Sequence, residues 1–343
     1  MTKNSPSTKS PNRLFRFFLW NDMHIRSPKV SGRPVGYPFV NEKALWALEC
    51  ALGRHGFEQP DFVLSAGDII DGEIPDYNED FAFLKEFVLD QLTVPFLPCV
   101  GNHENGQGEG ISELNLAYDR WFGKEWHNYV FTIGGIGFIV VDTSGAHRLP
   151  DEVTGQRNAF VKRAFEFLAD MPIIVVTHVP LLPMRNEGVL KASFGFESWK
   201  VRDEEFLRIV EGKSERVIAV LCGHLHLTAV RWNKGIAHIC PAGTAGYPAD
   251  FASFDVYPDR IEVRMHSAPK QWLDIKGNIH GKPRHKVDYT DDEHPDHERY
   301  LWGNSYEREL TIRLEGGKAP KVSGEKILKV FHELEQGVWH EGR

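Results

Sequence analysis

Cysteine is scarce in this chain of 343 residues, and the four that occur are Cys50, Cys99, Cys222 and Cys240. No two of them have C-x-x-C spacing, which argues against a thiolate-held zinc site and against a dithiol redox motif. Each of the four lies in an apolar stretch, which is typical of a buried, reduced thiol.

Long apolar runs are also missing, since none approaches the about 20 residues that a membrane-spanning helix needs. The first 12 residues are polar and contain proline, and we expect them to form a flexible tail. The apolar segment that follows, LFRFFLW, is too short and too interrupted by arginine to be a signal core, and no cleavage-like site comes after it. The sequence therefore predicts a cytoplasmic protein without membrane association.

An excess of basic residues is the third absence. The chain has 40 Lys and Arg against 48 Asp and Glu, a net charge of −8. This balance argues against non-specific nucleic-acid binding, so we expect no nucleic-acid partner. A small anionic substrate stays compatible with it, because bound metal ions can reverse the charge of a site locally.

Strands and helices alternate in the first hundred residues. Apolar runs at LFRFFLW, DFVLS and VPFLPCV are separated by helical periodicity over residues 41–56, where Asn41 is a candidate cap, and over residues 79–92. This order predicts parallel strands joined by helical crossovers. In such sheets the binding groups gather at the carboxyl ends of the strands.

The second half of the chain predicts strands of mixed direction, with hairpin turns at Gly134–Gly135, Asn233–Gly235 and Pro258–Arg260. Residues 13–266 are expected to form one domain, and residues 267–343 a C-terminal extension. The extension is expected to begin with a charged solvated loop, or a lid over a site, across residues 267–304. A strand in YERELTIRL and a helix in SGEKILKVFHELEQG, packed on the core with Ile327, Phe331 and Leu334 facing inward, would then complete it.

Five apolar runs end in residues that can bind a metal ion. The five endings are Asp22-x-His24, Gly67-Asp68, Gly101-Asn102-His103-Glu104, His178 and Gly223-His224-x-His226. Each ending alone has an ordinary explanation, such as a turn, a helix cap or a histidine at a strand end. Five such endings, each at a strand terminus, are hard to explain by chance.

These endings offer a particular set of donor atoms. Besides His103 they supply two aspartates, one asparagine and four histidines, and no thiolate, a set that suits manganese, iron or zinc. Seven ligands exceed what one tetrahedral ion uses, whereas two ions that share a carboxylate would use all of them. Metal pairs about 3.5–4 Å apart are typical of phosphoester chemistry.

The ordered set D-x-H, GD, GNHE, H, GH-x-H resembles that of the calcineurin-like metallophosphoesterase superfamily, over residues 13–266. The resemblance implies an α/β fold, a four-layer α/β/β/α sandwich of two mixed β-sheets flanked by helices. It also implies a site for two divalent or mixed-valence metal ions at the carboxyl ends of the strands.

The resemblance further implies a role for each residue. Asp22, His24 and His226 would bind one metal ion, Asn102, His178 and His224 would bind the other, and Asp68 would bridge the two. His103 would protonate the leaving oxygen or stabilise the transition state, so His103, Asn102 and Asp68 are the candidate catalytic residues. Glu104 would either orient His103 or be a loop carboxylate in water. Asn21 stands where many relatives have serine, and we expect this difference to be harmless.

The implied reaction is hydrolysis of a phosphoester by a hydroxide that bridges the two metal ions. Bacterial cyclic-nucleotide phosphodiesterases of the superfamily look most similar, which favours cyclic nucleotides or other small phosphodiesters as substrates. A phosphomonoesterase acting on nucleotides or proteins is the alternative, followed by a non-catalytic scaffold of the same fold. A nucleotide could stack on aromatic side chains, for which the candidates are Tyr37, Phe194, Phe196 and Trp199. The sequence leaves a homodimer open.

Overall fold

The structure is a computed structural model that describes residues 12–30, 39–72, 77–105, 112–145, 151–194, 199–273, 290–321 and 326–342. The predicted tail therefore lies outside the described residues, apart from residue 12. The strands are β1 (Phe15–Trp20), β2 (Phe62–Ser65), β3 (Phe96–Leu97), β4 (Tyr129–Ile133), β5 (Ile136–Val140), β6 (Ile173–Val176), β7 (Val217–Leu221), β8 (Ala229–Asn233), β9 (Ile236–Cys240), β10 (Asp250–Val256), β11 (Arg260–Ser267), β12 (Glu309–Arg313), β13 (Lys329–Glu335) and β14 (Val338–Glu341). The helices are α1 (Val40–Ala51), α2 (Tyr77–Phe87), α3 (Ser112–Trp121), α4 (Asp151–Phe167), α5 (Glu187–Phe194), α6 (Glu204–Glu211), α7 (His297–Trp302) and α8 (Ser305–Arg308).

The strands form two sheets, both mixed. The six-stranded sheet has the order β12-β11-β10-β1-β2-β3, and in it β1, β2 and β3 are parallel while β10 pairs antiparallel with both β1 and β11. The eight-stranded sheet has the order β14-β13-β4-β5-β6-β7-β9-β8, with a parallel centre from β5 to β9. The two sheets confirm the predicted parallel crossovers and the predicted mixture of strand directions.

Aromatic side chains fill the space between the two sheets. Phe17 stacks on Phe254 within the first sheet at 4.4 Å between ring centroids, and Phe131 stacks on Phe138 within the second at 4.3 Å. Phe17 also meets Phe138 edge to face at 5.7 Å, which joins the sheets. These buried rings contribute large apolar area as well as favourable ring geometry.

Helices cover the outer face of each sheet. Apolar residues of α1, α2 and α3 pack on the six-stranded sheet, and those of α4 and α6 pack on the eight-stranded sheet. The result is the four-layer α/β/β/α sandwich that the resemblance implied. Among the described residues, no helix combines the length and apolar composition that crossing a bilayer would require.

Local expectations hold for the turns and fail for one helix cap. The three predicted hairpins join β4 to β5, β8 to β9 and β10 to β11. Asn41 does not cap α1, because the helix begins at Val40 and Phe39 occupies the N-cap position. The Asn41 side chain instead exchanges two hydrogen bonds with the backbone of Arg26, which ties the helix to the segment that follows His24.

The predicted helix over residues 323–337 is wrong. Residues 329–335 form β13, which pairs antiparallel with β4 and continues through a turn into β14. Ile327 and Leu334, expected to face inward, are 49% and 64% exposed. In a short segment, the spacing of apolar residues cannot distinguish a helix from a strand. The edge of β4 supplies backbone hydrogen-bond partners, and these favour the strand.

The extension is also more ordered than a solvated loop over the part of residues 267–304 that the structure describes. There α7 buries Tyr300 and Leu301 against Leu225 and Tyr247 of the core. The predicted strand in YERELTIRL is confirmed as β12, preceded by the short helix α8. Residues 274–289 lie outside the described residues, so a lid there stays a prediction.

Candidate metal centre

The predicted ligands come from the ends of five strands. Asp22 follows β1, Asp68 follows β2, Asn102 and His103 follow β3, His178 follows β6, and His224 and His226 follow β7. Backbone hydrogen bonds join these segments directly, because the Asp22 amide donates to the Gly67 carbonyl at 2.9 Å and the Gly223 amide donates to the His178 carbonyl at 2.9 Å. The predicted meeting of strand ends is therefore observed across both sheets.

One group of candidate ligands consists of Asp22, His24 and His226. The Nε2 atom of His226 lies 3.1 Å from Asp22 Oδ1 and 3.1 Å from Nε2 of His24. All three side chains are buried, and each offers one donor atom within 4.8 Å of the others.

A second group is centred on Asp68 and His178. Oδ2 of Asp68 lies 3.2 Å from Nε2 of His178, and that nitrogen lies 3.0 Å from Oδ1 of Asn102. His224 completes a set with Asp68 and His178 whose donor atoms are within 4.8 Å of one another. Oδ2 of Asp68 is also 3.8 Å from Nε2 of His24, so this carboxylate lies between the two groups.

The backbone at this centre is strained. Five of the candidate ligands have a positive φ, namely Asp22 at 46°, His24 at 45°, Asp68 at 52°, His224 at 74° and His226 at 50°. This left-handed conformation is uncommon for residues other than glycine and costs of the order of 1 kcal/mol each. Such strain clusters at functional sites.

Gly223 permits the close approach of two of these segments. A Cβ atom at residue 223 would lie 2.6 Å from Oδ2 of Asp22 and 3.0 Å from Cβ of Asn21. Any other residue here would push the turn that carries His224 away from Asp22. The glycine is therefore needed for space at this point in the turn.

The protonation of each carboxylate and imidazole at the centre depends on the charge of its neighbours. Burial opposes protonation of His178, but the adjacent Asp68 carboxylate outweighs burial and raises the pKa of His178 to about 10. Burial opposes ionisation of Asp68 in turn, yet the neighbouring His178 and His103 rings hold its pKa well below the usual value. Burial, reinforced by His178, lowers the pKa of His224 to about 3.

The donor set fits a pair of metal ions. Asp22 and Asp68 are buried, and within the described chain neither carboxylate has a lysine or arginine partner. A buried carboxylate needs compensating positive charge. Imidazole nitrogen, carboxylate and amide oxygen ligands suit manganese, iron or zinc, so divalent ions would supply that charge.

His103 lies beside both groups. Its backbone amide donates to Oδ1 of Asp68 at 2.9 Å, and its Nδ1 atom is hydrogen-bonded to the carbonyl oxygen of Asp71. Its Nε2 atom lies 4.0 Å from Oδ2 of Asp68, and the side chain is 19% exposed. Burial opposes its protonation, but the Asp68 carboxylate raises the pKa of His103 above the usual value. A raised pKa favours the protonated imidazole, which is the form that can donate a proton.

Glu104 is completely buried, so it is not a loop carboxylate in water. The orienting role stays a prediction, and Glu104 is among the carboxylates that raise the pKa of His103. Its Oε2 atom accepts hydrogen bonds from the amides of Asp68 at 2.9 Å and Gly101 at 2.7 Å, and its Oε1 atom accepts one from Ile70 at 3.1 Å. Glu104 therefore joins the loop after β2 to the loop after β3.

Asp71 and Arg26 also support the centre, and sequence reasoning missed both. Besides accepting from His103 through its carbonyl, Asp71 places Oδ1 3.8 Å from Nδ1 of His24 and Oδ2 3.0 Å from Nε of Arg26. The available signal was the second aspartate of GDIIDG, three residues after Asp68.

The aromatic candidates do not form a described stacking surface. Tyr37 and Phe196 lie outside the described residues, as does the side chain of Phe194. Trp199 is 7% exposed and packs in a cluster with Met184 and Leu225, so its ring belongs to the core behind the His224–His226 turn.

The chain belongs to the calcineurin-like phosphoesterase family, whose sequence model matches residues 15–227. It is therefore a phosphoesterase of a dimetal-dependent family, and its own histidine and aspartate clusters agree with that chemistry.

A curated relative and two solved structures are similar to this chain. The relative is a probable glycerophosphodiester phosphodiesterase of Arcobacter nitrofigilis, 29% identical over 75% of this chain and 88% of its own length. A dimetal phosphatase from Danio rerio superposes with a TM-score of 0.55 at 14% identity, covering 75% of this chain and 97% of that one. A purple acid phosphatase from yellow lupin gives a TM-score of 0.53 at 14% identity, covering 74% and 51%. At that identity the two structures support the fold only.

Proposed function

We propose that the chain hydrolyses small phosphodiesters with two metal ions bound at the strand ends. In this proposal Asp22, His24 and His226 hold one ion, Asn102, His178 and His224 hold the other, and Asp68 contacts both. The observation that carries the proposal is the position of the Asp68 carboxylate, 3.2 Å from His178 and 3.8 Å from His24, between two groups of buried donors. Bound ions of this kind supply Lewis acidity and make hydroxide available from water near neutral pH.

The chain's own residues would position the phosphoester and manage its protons. The amide of Asn102 would be a ligand at the edge of the second group, where it lies 3.0 Å from His178. The hydrogen bond from Nδ1 of His103 to the Asp71 carbonyl leaves Nε2 of that ring to face the site. A positioned imidazolium at that place would donate a proton to the leaving oxygen, a contribution of about 10²–10⁴-fold in rate.

The preference for diesters over monoesters rests on the similarity to the probable glycerophosphodiester phosphodiesterase. Small phosphodiesters include glycerophosphodiesters and cyclic nucleotides, and both belong in the substrate panel. The phosphomonoesterase alternative predicts the opposite order of rates.

The test compares bis-p-nitrophenyl phosphate with p-nitrophenyl phosphate on protein reconstituted separately with manganese, iron and zinc. We expect a higher kcat/KM for the diester with at least one of the metals, and about two metal equivalents bound per chain. An Asp68→Asn variant tests the shared carboxylate, because it removes the negative charge between the two groups with little change in shape. We expect this variant to lose metal occupancy. A faster monoester reaction would overturn the diester assignment, and one equivalent of bound metal would overturn the dimetal centre.

Three further expectations accompany this proposal as predictions. They are the cytoplasmic location, the absence of a nucleic-acid partner, and the homodimer that the sequence leaves open.

A further inference from the structure

Asn21 lies directly beside the proposed metal ligand Asp22 and is completely buried. Its Nδ2 atom donates one hydrogen bond to Oδ2 of Asp22 at 2.5 Å and another to the carbonyl oxygen of Pro241 at 2.9 Å. Both partners are acceptors, so only the amino group of the amide can occupy this place. The orientation of the Asn21 side chain is thereby determined.

These hydrogen bonds give the two oxygens of Asp22 different surroundings. Oδ2 accepts from the Asn21 side chain and from the backbone amide of His224 at 2.9 Å. Oδ1 shares that amide at 3.0 Å and faces the Nε2 atoms of His226 at 3.1 Å and His24 at 4.0 Å. One oxygen is therefore engaged by donors, while the other points toward the remaining ligands of its group.

The backbone approaches the Asn21–Asp22 pair closely at two glycines. A Cβ atom on Gly223 would lie 2.6 Å from Oδ2 of Asp22, and one on Gly243 would lie 2.5 Å from Cβ of Asp22 and 2.7 Å from the Asn21 carbonyl oxygen. Close backbone on both sides limits the rotamers that Asp22 can adopt. Within that space, the hydrogen bond from the Asn21 amide fixes the rotation of the Asp22 carboxylate about its Cβ–Cγ bond.

We propose that Asn21 is a positioning residue for the Asp22–His24–His226 metal site, because its hydrogen bond to one carboxylate oxygen of Asp22 fixes the plane of that carboxylate and turns the other oxygen toward His226 and His24. This inference rests on the proposed function, since it requires that Asp22 bind a metal ion. It replaces the expectation that asparagine in this place is harmless. Partners that orient metal ligands typically change metal affinity about 10–100-fold when they are removed.

The test is manganese titration, followed by calorimetry, of the wild-type chain and of Asn21→Leu, which keeps the volume but removes both donors. We expect the wild type to bind two manganese equivalents, and the variant to bind one of them about 10–100-fold more weakly while the other is unchanged. Asn21→Ser, whose hydroxyl can donate one hydrogen bond, should recover part of the affinity. It also provides the measurement if Asn21→Leu fails to fold.

Asn158→Leu is the matched control. Asn158 is also buried and donates from Nδ2 to a carboxylate, Oδ2 of Asp203 at 2.5 Å, but it belongs to α4 and not to the metal centre. It should lower the free energy of unfolding and leave both manganese affinities as in the wild type. Two unchanged affinities in Asn21→Leu would overturn the inference, as would equal weakening of both sites. Failure of the wild type to bind two equivalents would instead overturn the proposed function.

Discussion

Two carboxylates, Asp22 and Asp68, are buried among histidine rings, where an ionised group must be compensated by positive charge or by donated hydrogen bonds. Donors supply part of this compensation, because Asp22 accepts from Asn21 and from the His224 amide, and Asp68 accepts from the His103 amide. Oδ1 of Asp22 faces a ring nitrogen of His226, and Oδ2 of Asp68 faces a ring nitrogen of His178. Single residues around the centre therefore act either on the charge or on the placement of these two side chains.

His103→Ala separates chemistry from metal binding. Because the proposed role of His103 is to donate a proton, the variant should keep both metal equivalents and lose about 10²–10⁴-fold in kcat. The loss should be largest for diesters with poor leaving groups, which depend most on protonation. Metal analysis and steady-state kinetics measure the two effects, and undiminished turnover of a poor leaving group would contradict the assignment.

Glu104→Ala tests how the two loops are joined. The variant leaves the amides of Asp68, Ile70 and Gly101 without their buried acceptor, and each unsatisfied group costs about 1–3 kcal/mol. We expect the metal-free protein to lose about 2–5 kcal/mol of unfolding free energy, measured by urea denaturation. Glu86→Ala, an exposed position on α2, is the control and should change stability little. Equal stability of the two variants would show that Glu104 does not join the loops.

At the scale of elements, ion pairs connect helices and strands away from the metal centre. Nε2 of His127, just before β4, lies 2.8 Å from Asp119 of α3, and its Nδ1 lies 3.0 Å from Asp142, which follows β5. Asp142 also accepts from the Ser144 hydroxyl at 2.6 Å. The charged imidazole therefore links three elements through two carboxylates.

The pH dependence of stability reports on this link. Burial opposes protonation of His127, but Asp142 and Asp119 outweigh it and raise its pKa to about 9. Since the pKa is higher in the folded state, the stabilisation is complete below about pH 6.5 and is lost as pH rises through about 9. His127→Gln should cost about 2–3 kcal/mol at pH 6 and should flatten the stability profile between pH 6.5 and 9.

His55→Gln is the control for that measurement, because His55 pairs with Glu49 on the exposed surface, where ion pairs contribute little. Urea denaturation across pH gives the profiles. A wild-type profile that is already flat between pH 6.5 and 9 would contradict the prediction.

At the scale of the whole molecule, one buried network joins α8 to the segments that follow β6 and β7. Glu307 of α8 accepts from Arg185 at 2.6 Å and from the backbone amide of Val230 at 3.2 Å, and its other oxygen lies 2.9 Å from His294. Arg185 also donates to the Thr228 carbonyl at 2.6 Å. The chain segments that follow His178 and His226 therefore share this network with the extension.

Glu307→Ala should cost about 3–5 kcal/mol of unfolding free energy, because it leaves the Arg185 charge buried without its carboxylate. The double variant Arg185→Met, Glu307→Leu should be much closer to the wild type, since it removes both charges. A double-mutant cycle measured by urea denaturation gives the coupling. Additive effects of the single changes would show that the two residues do not act as a pair.

Most of the strands, and the metal-capable residues at their ends, could be predicted from the sequence alone. Apolar runs indicated the buried strands, and the donor types at their ends indicated nitrogen and oxygen ligands, because both properties are local to a few residues. The family resemblance added the four-layer fold and the expectation of two metal ions. These predictions needed no knowledge of which distant residues meet.

The tertiary structure decided which strands pair and which side chains contact one another. Residues 329–335 form a strand because β4 has an edge to pair with, and α7 is ordered because Leu225 and Tyr247 bury its apolar side. Glu104 was expected either to orient His103 or to lie in water, and the folded chain buries it where it accepts hydrogen bonds from the amides of Asp68, Ile70 and Gly101. Such hydrogen bonds, and the pairing of a strand with a sheet edge, depend on groups that only the folded chain brings close together. No local pattern of residues specifies which groups those are.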